Sequence, residues 1–399
     1  MSVTVTEKVS YGSRIGASFK GVIPGIVMFV AAFPLLFWNE GRAVKTARAL
    51  DEGQGAVIEV GSNATVDSEN EGRLVHMSGL ADTGDVLEDP EFGVSENCIR
   101  LDRSVEIYQW VEHAKTEEKK NLGGSVTKTT TYAYSLEWCR DAVDSRAFKE
   151  PGHDNPAAGL EFKSQSWRSE NVTFGAFRLN ERQIARIGGA REYAFPVSFT
   201  SRVARVQLAG GVIYVPEKAT RDNALNNRDV ASQTRVGDMR VTYRVVRPHD
   251  ISIVSKQRGD SFVPFTSKKG DGYQVDLQRD GIADASEMFE SARGGNTFMT
   301  WILRLAGWLL MFAGIRKVLA PISTLGDVLP FLGSVLSAGF GFVAAVLAFV
   351  LTLVTVAVAW IVYRPALGVA LLVVALLVVA AAGAFLLLKK RGAGPVAAK

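Results

Sequence analysis

Residues 298–315 read FMTWILRLAGWLLMFAGI, and residues 328–362 read VLPFLGSVLSAGFGFVAAVLAFVLTLVTVAVAWIV without one ionisable side chain. A third apolar run, GVIPGIVMFVAAFPLLFW, covers Gly21 to Trp38. About 20 such residues cross a bilayer as a helix, so these stretches set the fold class: a membrane protein. The run 328–362 is too long for one upright helix. Val328 to Ser337 reads as interfacial or tilted, and Ala338 to Val362 as the crossing. Arg364-Pro365 then turns the chain, Ala366 to Leu388 crosses back, and Lys389-Lys390-Arg391 stops it. Gly21 to Trp38 ends in bulky residues where a signal peptidase needs small ones, which predicts an uncleaved anchor. Phe33, Phe37 and Trp38 suit an interfacial belt. Basic residues lie in 1–20, at Arg316-Lys317 and in the tail 389–399; four crossings put all three on one side, as the positive-inside rule asks. The expectation is four transmembrane helices (21–38, 298–315, 338–362 and 366–388), cytoplasmic ends 1–20 and 389–399, and an outer-face domain over 39–296. That face is the periplasm for a bacterial inner membrane, or the lumen in a eukaryote.

The region between the spans carries strand patterning. Val105, Ile107, Gln109 and Val111 alternate with Glu106, Tyr108 and Trp110, and Thr130, Tyr132, Tyr134, Leu136 and Trp138 alternate with smaller or polar neighbours, which is the period of half-buried strands. The polar segment Thr116 to Gly124 reads as the turn of a long hairpin. Further strands are predicted at Leu74–Met77, Val203–Leu208, Val212–Val215, Met239–Val246, Ile251–Val254 and Tyr273–Leu277. Helices are predicted at Asn180–Ile187 and Ala283–Ala292, the second leading into its span through a flexible Gly294-Gly295. The domain is therefore expected to be α+β and mostly antiparallel. With the hairpin turn near residues 118 and 119, Cys98 falls opposite Cys139, where a disulfide is stereochemically reachable; with the turn at Gly123-Gly124 the pairing is lost.

The 399 residues carry a net charge of only +4, scattered along the chain, so no nucleic-acid surface is expected. No Gly-rich phosphate loop, Gly-x-Ser-x-Gly or His-Glu-x-x-His occurs, and the four histidines have no metal-ligand spacing. Neither catalysis nor a cofactor or metal is expected. The ionisable side chain inside the spans is Arg304, a functional candidate by position. It can also snorkel outward or rest on Trp301 and Trp308, and no Asp, Glu or His in another span answers it. At the exit of the first span, Asn39-Glu40-Gly41-Arg42 reads as an ordered membrane junction, against the plainer reading of a solvated helix extension.

A set of ordered motifs adds to this. Trp38-Asn39-Glu40-Gly41-Arg42-Ala43-Val44-Lys45-Thr46-Ala47, Glu69-Asn70-Glu71-Gly72-Arg73-Leu74-Val75-His76, Asp89-Pro90 with Phe92-Gly93-Val94, and Tyr108-Gln109-Trp110-Val111-Glu112 occur in series. Gln257-Arg258-Gly259-Asp260, Val263-Pro264-Phe265, Thr300-Trp301 with Arg304, and Tyr363-Arg364-Pro365 follow. Over nearly its whole length the chain resembles the transmembrane protein 43 family, also called LUMA. The resemblance implies four spans with the large domain in the lumen. It also implies a non-enzymatic organiser of membrane protein complexes in the endoplasmic reticulum and inner nuclear membrane, working with emerin and lamins in animals. The Ala/Val/Gly-rich last span and the two cysteines depart from the family and point to a bacterial member, to which lamina partners do not transfer. The expected partners are membrane lipids, other membrane proteins and further copies of the chain. The competing expectations are a channel or transporter subunit or its regulator, and an envelope hydrolase.

Overall fold

The structure is a computed structural model that describes residues 2–157, 159–204, 206–217, 229–328 and 330–364, with scattered positions between 369 and 381 and backbone alone over 330–337. Its helices are α1 (Tyr11–Lys20), α2 (Val22–Ala56), α3 (Glu181–Arg186), α4 (Ala285–Gly326) and α5 (Pro330–Tyr363). Among the described residues three helical stretches are long and apolar enough to cross a membrane: Tyr11–Ala56, Ala285–Gly326 and Ala338–Tyr363. The fourth expected span, 366–388, lies largely outside the described residues.

At 35 and 42 residues, α2 and α4 are about 52 and 63 Å long, roughly twice a hydrocarbon core of about 30 Å. Their apolar halves pair in the bundle, and their polar halves stand above it and enter the domain. Gly294-Gly295 does not break α4. Two glycines cost about 1 kcal/mol each in a helix. Burial of Met288 and Phe289 on one side, and of Thr300 on the other, holds the helix through them. The bundle is tight where glycines meet. A Cβ on Gly314 would lie 2.7 Å from the Phe29 nitrogen, and one on Gly307 would lie 2.5 Å from Leu36 Cδ2. Small residues set this approach because apolar helices gain little from mutual burial in lipid. Gly314→Val is expected to push α2 from α4 and to cost about 1–3 kcal/mol, read as a lower unfolding midpoint in nanodiscs.

The domain is antiparallel with one parallel pairing, as its alternation predicts. One sheet runs Ser2–Val9, Val126–Cys139, Arg100–Lys120, Met239–Val246, Val212–Val215, Gln207–Ala209. The second runs Phe177–Arg178, Thr173–Phe174, Leu74–Asp82, His249–Arg258, Ser261–Val263, with Ile58–Glu59 parallel to Leu74–Asp82. The chain passes directly from Met239–Val246 in the first sheet to His249–Arg258 in the second, so the sheets are joined through Arg247-Pro248. Each has its own core: Leu101, Val105, Ile107, Val241 and Tyr243 in the first, Val75, Met77, Phe174, Ile251 and Phe262 in the second. A third core packs Ala49 and Leu50 of α2 and Phe289 of α4 under Leu74 and Val254, seating both helices on the second sheet. The predicted α3 forms with its Asn180 cap, in a capping box with Gln183.

The hairpin is longer than predicted. Lys120 pairs with Val126, so the turn is Asn121 to Ser125, with Gly123 and Gly124 at φ 80° and 78°, a region glycine occupies freely. Thr116 to Lys120 is polar yet fully paired. This register sets Cys139 against Ile107, and Cys98 and Cys139 are both free. Of the two turns considered, the two-glycine one reverses the chain, and with it the Cys98–Cys139 pairing is lost. Burial pushes the Cys98 thiol up to about 11, leaving it unreactive.

Residues 2–9, within the expected cytoplasmic end 1–20, form an edge strand on Val126–Ala133. The resulting arm leaves the domain and meets the far end of α4. Asp327 takes ion pairs from Arg14 and from Lys120 (2.7 Å), and Gly123 N–H donates to Val328 O at 3.0 Å. Burial works to raise the Asp327 carboxyl, but hydrogen bonds from Lys120 and Arg14 outweigh it and hold the group below the usual Asp value. A carboxyl lowered on folding contributes stability above its unfolded value of about 3.8 and loses it as pH falls through the folded value. The tip is therefore expected to stay docked at neutral pH and to release in acid. Asp327→Asn should release it at pH 7, raising hydrogen exchange at 119–127 about ten- to a hundredfold, for loss of charged hydrogen bonds of about 1.5–3 kcal/mol.

Candidate functional site: the membrane junction

α2 runs without interruption through Asn39-Glu40-Gly41-Arg42, so the junction is a helix extension and an ordered site at once. Helical phase aims Asn39 and Glu40 at α4, where Asn296, Thr300 and Arg304 repeat at every fourth residue on one face. Asn39 Nδ2 donates to Thr300 O at 3.1 Å. Arg42 donates to Asn296 Oδ1 (3.1 Å), Asn39 Oδ1 (3.3 Å) and Thr300 Oγ1 (3.2 Å). Asn296 Nδ2 returns a bond to Ala43 O at 3.0 Å. Gly41 lets α5 approach: a Cβ there would lie 2.7 Å from the Tyr363 hydroxyl oxygen.

Glu40 is the centre. It is 1% exposed and accepts Arg304 Nε at 2.6 Å and Nη2 at 2.8 Å, a two-point pairing. Trp360 Nε1–H of α5 donates to the same carboxylate. The Arg304 guanidinium also lies 4.7 Å from the Trp301 ring centre and 5.5 Å from Trp360. One carboxylate thus ties three helices together where the apolar segments end. A buried pair of this kind holds only when charge and hydrogen bonds are matched together, and both are matched.

This corrects the expectation that Arg304 has no acidic answer. Its partner lies two residues past the apolar run, on the same helix that carries that run. Its cation–π contacts are with Trp301 and Trp360, not Trp308. Thr300, Asn296, Trp360 and Tyr363 were not anticipated as site residues; the four-residue repeat of Asn296, Thr300 and Arg304 in an apolar stretch was the signal for the first two. Cys98 and Cys139 take no part. Among the described residues no three His, Cys, Asp or Glu side chains gather to hold a metal ion. What the arrangement can do is mechanical: it fixes the height and angle of the sheets over the bundle.

Known proteins are consistent in what they resemble. The family model described as Transmembrane protein 43 matches residues 107–365. Transmembrane protein 43 of Mus musculus is 33% identical over 376 residues, covering 92% of this chain and 90% of that protein. The Homo sapiens protein is 33% identical over 378 residues with the same coverage. The Transmembrane protein 43 homolog of Drosophila melanogaster is 30% identical over 370 residues, 87% of this chain and 90% of that one. No solved structure matches.

Proposed function

The chain belongs to the transmembrane protein 43 family of membrane proteins, and from that premise we propose that it is a non-enzymatic scaffold. In this reading four helices cross the bilayer, both termini lie in the cytoplasm, and the sheets, apart from the arm tip and the Ser2–Val9 strand on it, face the periplasm of a bacterium or the lumen of a eukaryotic compartment. The domain's outer surface engages other membrane proteins, and the bundle self-associates. The supporting observation is the junction: α2 and α4 continue from the bundle into the third core, and Glu40, Arg304 and Trp360 lock them at the boundary. A partner bound to the sheets is thereby coupled rigidly to the helices. Purification in mild detergent from native membranes is expected to retain a protein partner at fixed stoichiometry. A bare chain that turns over a substrate would contradict the reading.

The arm favours a second reading, a channel subunit or regulator. It and α4 both join the domain to Asp327, so the arm covers the same axial stretch as the apolar helices. Its Lys115, Glu117, Glu118 and Lys119 are exposed, and such side chains are not stable against hydrocarbon. When α2 and α4 cross the bilayer, a docked arm needs water beside it, which several copies with inward arms would enclose. Conductance from reconstituted protein, abolished by Asp327→Asn, supports this reading over the first.

A further inference from the structure

Two adjoining cavities share Trp301, Arg304 and Trp360. The larger, about 540 Å³, is an apolar groove between α4 and α5 past Leu305, Phe349, Leu353 and Val356. The smaller, about 190 Å³, is a polar cleft at the junction that includes Asn296 and Arg364. The groove has the size of a small-ligand site, roughly 300–1,000 Å³. Two polar atoms on its walls are buried and have no hydrogen-bond partner among the described residues: Trp308 Nε1 and Thr352 Oγ1. Thr355 satisfies its hydroxyl on Leu351 O; Thr352 does not. Trp308 is stacked on Phe312 at 5.7 Å, so its ring is held. Two buried donors left unpaired by the described residues in an apolar wall call for an acceptor seated in the groove.

The cleft has the complementary charge. Glu40 is matched by Arg304. Arg364 is exposed at the rim, Arg48 donates to the carbonyl of Tyr363 next to it, and among the described residues Arg42 and Arg48 bond to neutral groups. The junction therefore carries uncompensated positive charge directly above an apolar groove. Trp308 lies one helical turn below Arg304, about 6 Å along the axis.

We propose that these two cavities form one site for an anionic glycerophospholipid. Its phosphate lies in the cleft beside Arg364. An ester carbonyl, which can accept two hydrogen bonds, takes Trp308 Nε1–H and the Thr352 hydroxyl. The acyl chain fills the groove. A lipid seated there bridges α4 and α5 below the Glu40 lock. The proposal rests on the membrane placement of α4 and α5, not on the scaffold role.

The test is native mass spectrometry of the full-length chain in neutral detergent, titrated with phosphatidylglycerol or phosphatidylcholine. The expected result is one phosphatidylglycerol retained in preference to phosphatidylcholine. Trp308→Phe, which keeps the ring and removes the donor, should weaken that retention about two- to tenfold, the loss of one hydrogen bond. Arg364→Gln should erase the preference between the two lipids. Equal retention of both lipids by the unaltered chain, or variants that match it, would overturn the site. Failure of the chain to float with vesicles would instead overturn the membrane placement, and the two failures are read separately.

Discussion

Arg304→Met is expected to destabilise the bundle by about 3–5 kcal/mol, because it leaves the Glu40 carboxylate buried without a cation. Glu40→Met should cost a similar amount by stranding Arg304. The two losses should not add. With both groups replaced by methionine no charge is left to desolvate, and the double variant is expected to recover part of the stability of either single one. Trp360 loses its acceptor in the double variant, so recovery is incomplete. A double-mutant cycle on thermal unfolding in nanodiscs should give a coupling of about 2 kcal/mol or more. Additive losses would mean that the pair does not hold the helices.

A comparable effect is expected inside the domain, at Asp89. This carboxylate is fully buried. It accepts Arg103 Nη1 on both oxygens, at 2.9 and 2.7 Å, and the Tyr243 hydroxyl at 2.5 Å. Arg103 also donates Nε to Lys163 O at 2.9 Å, pairs with Glu91 at 2.5 Å, and lies between the Phe92 and Trp167 rings. Burial, then the bond to Asp89, drives the Tyr243 phenol far above its ordinary value. The cluster joins three segments of the first sheet's core through one carboxylate. Asp89→Asn keeps the shape and removes the charge. It is expected to cost about 3–5 kcal/mol, seen as loss of cooperative domain unfolding. Arg103→Met in the same chain should restore part of it.

The two clusters show what the sequence makes legible. Gly21–Trp38 and Phe298–Ile315 were found because hydropathy is a local property, and Val105, Ile107 and Gln109 because alternation is. Arg304 was singled out for the same reason. Its partner was sought inside the apolar runs, but a hydropathy boundary at Trp38 is not a helix boundary, and Glu40 continues the same helical face. The strand Ser2–Val9 is not legible locally, although Val3 and Val5 alternate with threonines, because its partner begins at Val126, a pairing no local window contains. Charge along Thr116–Gly124 suggests a loop, but the paired backbone extends to Lys120, and Gly123 and Gly124 have the φ that reverses it.

In the proposed topology α2 and α4 cross the bilayer, with the bulk of the sheets at one end and Asp327 at the other. It is tested most directly by side-specific labelling in sealed membrane vesicles. Single cysteines at Asp260, on an exposed domain turn, and at Ser13, on exposed α1, are introduced after Cys98 and Cys139 are removed, and a membrane-impermeant maleimide is applied from one side. The two positions are expected to label from opposite sides. Labelling of both from the same side would contradict that topology.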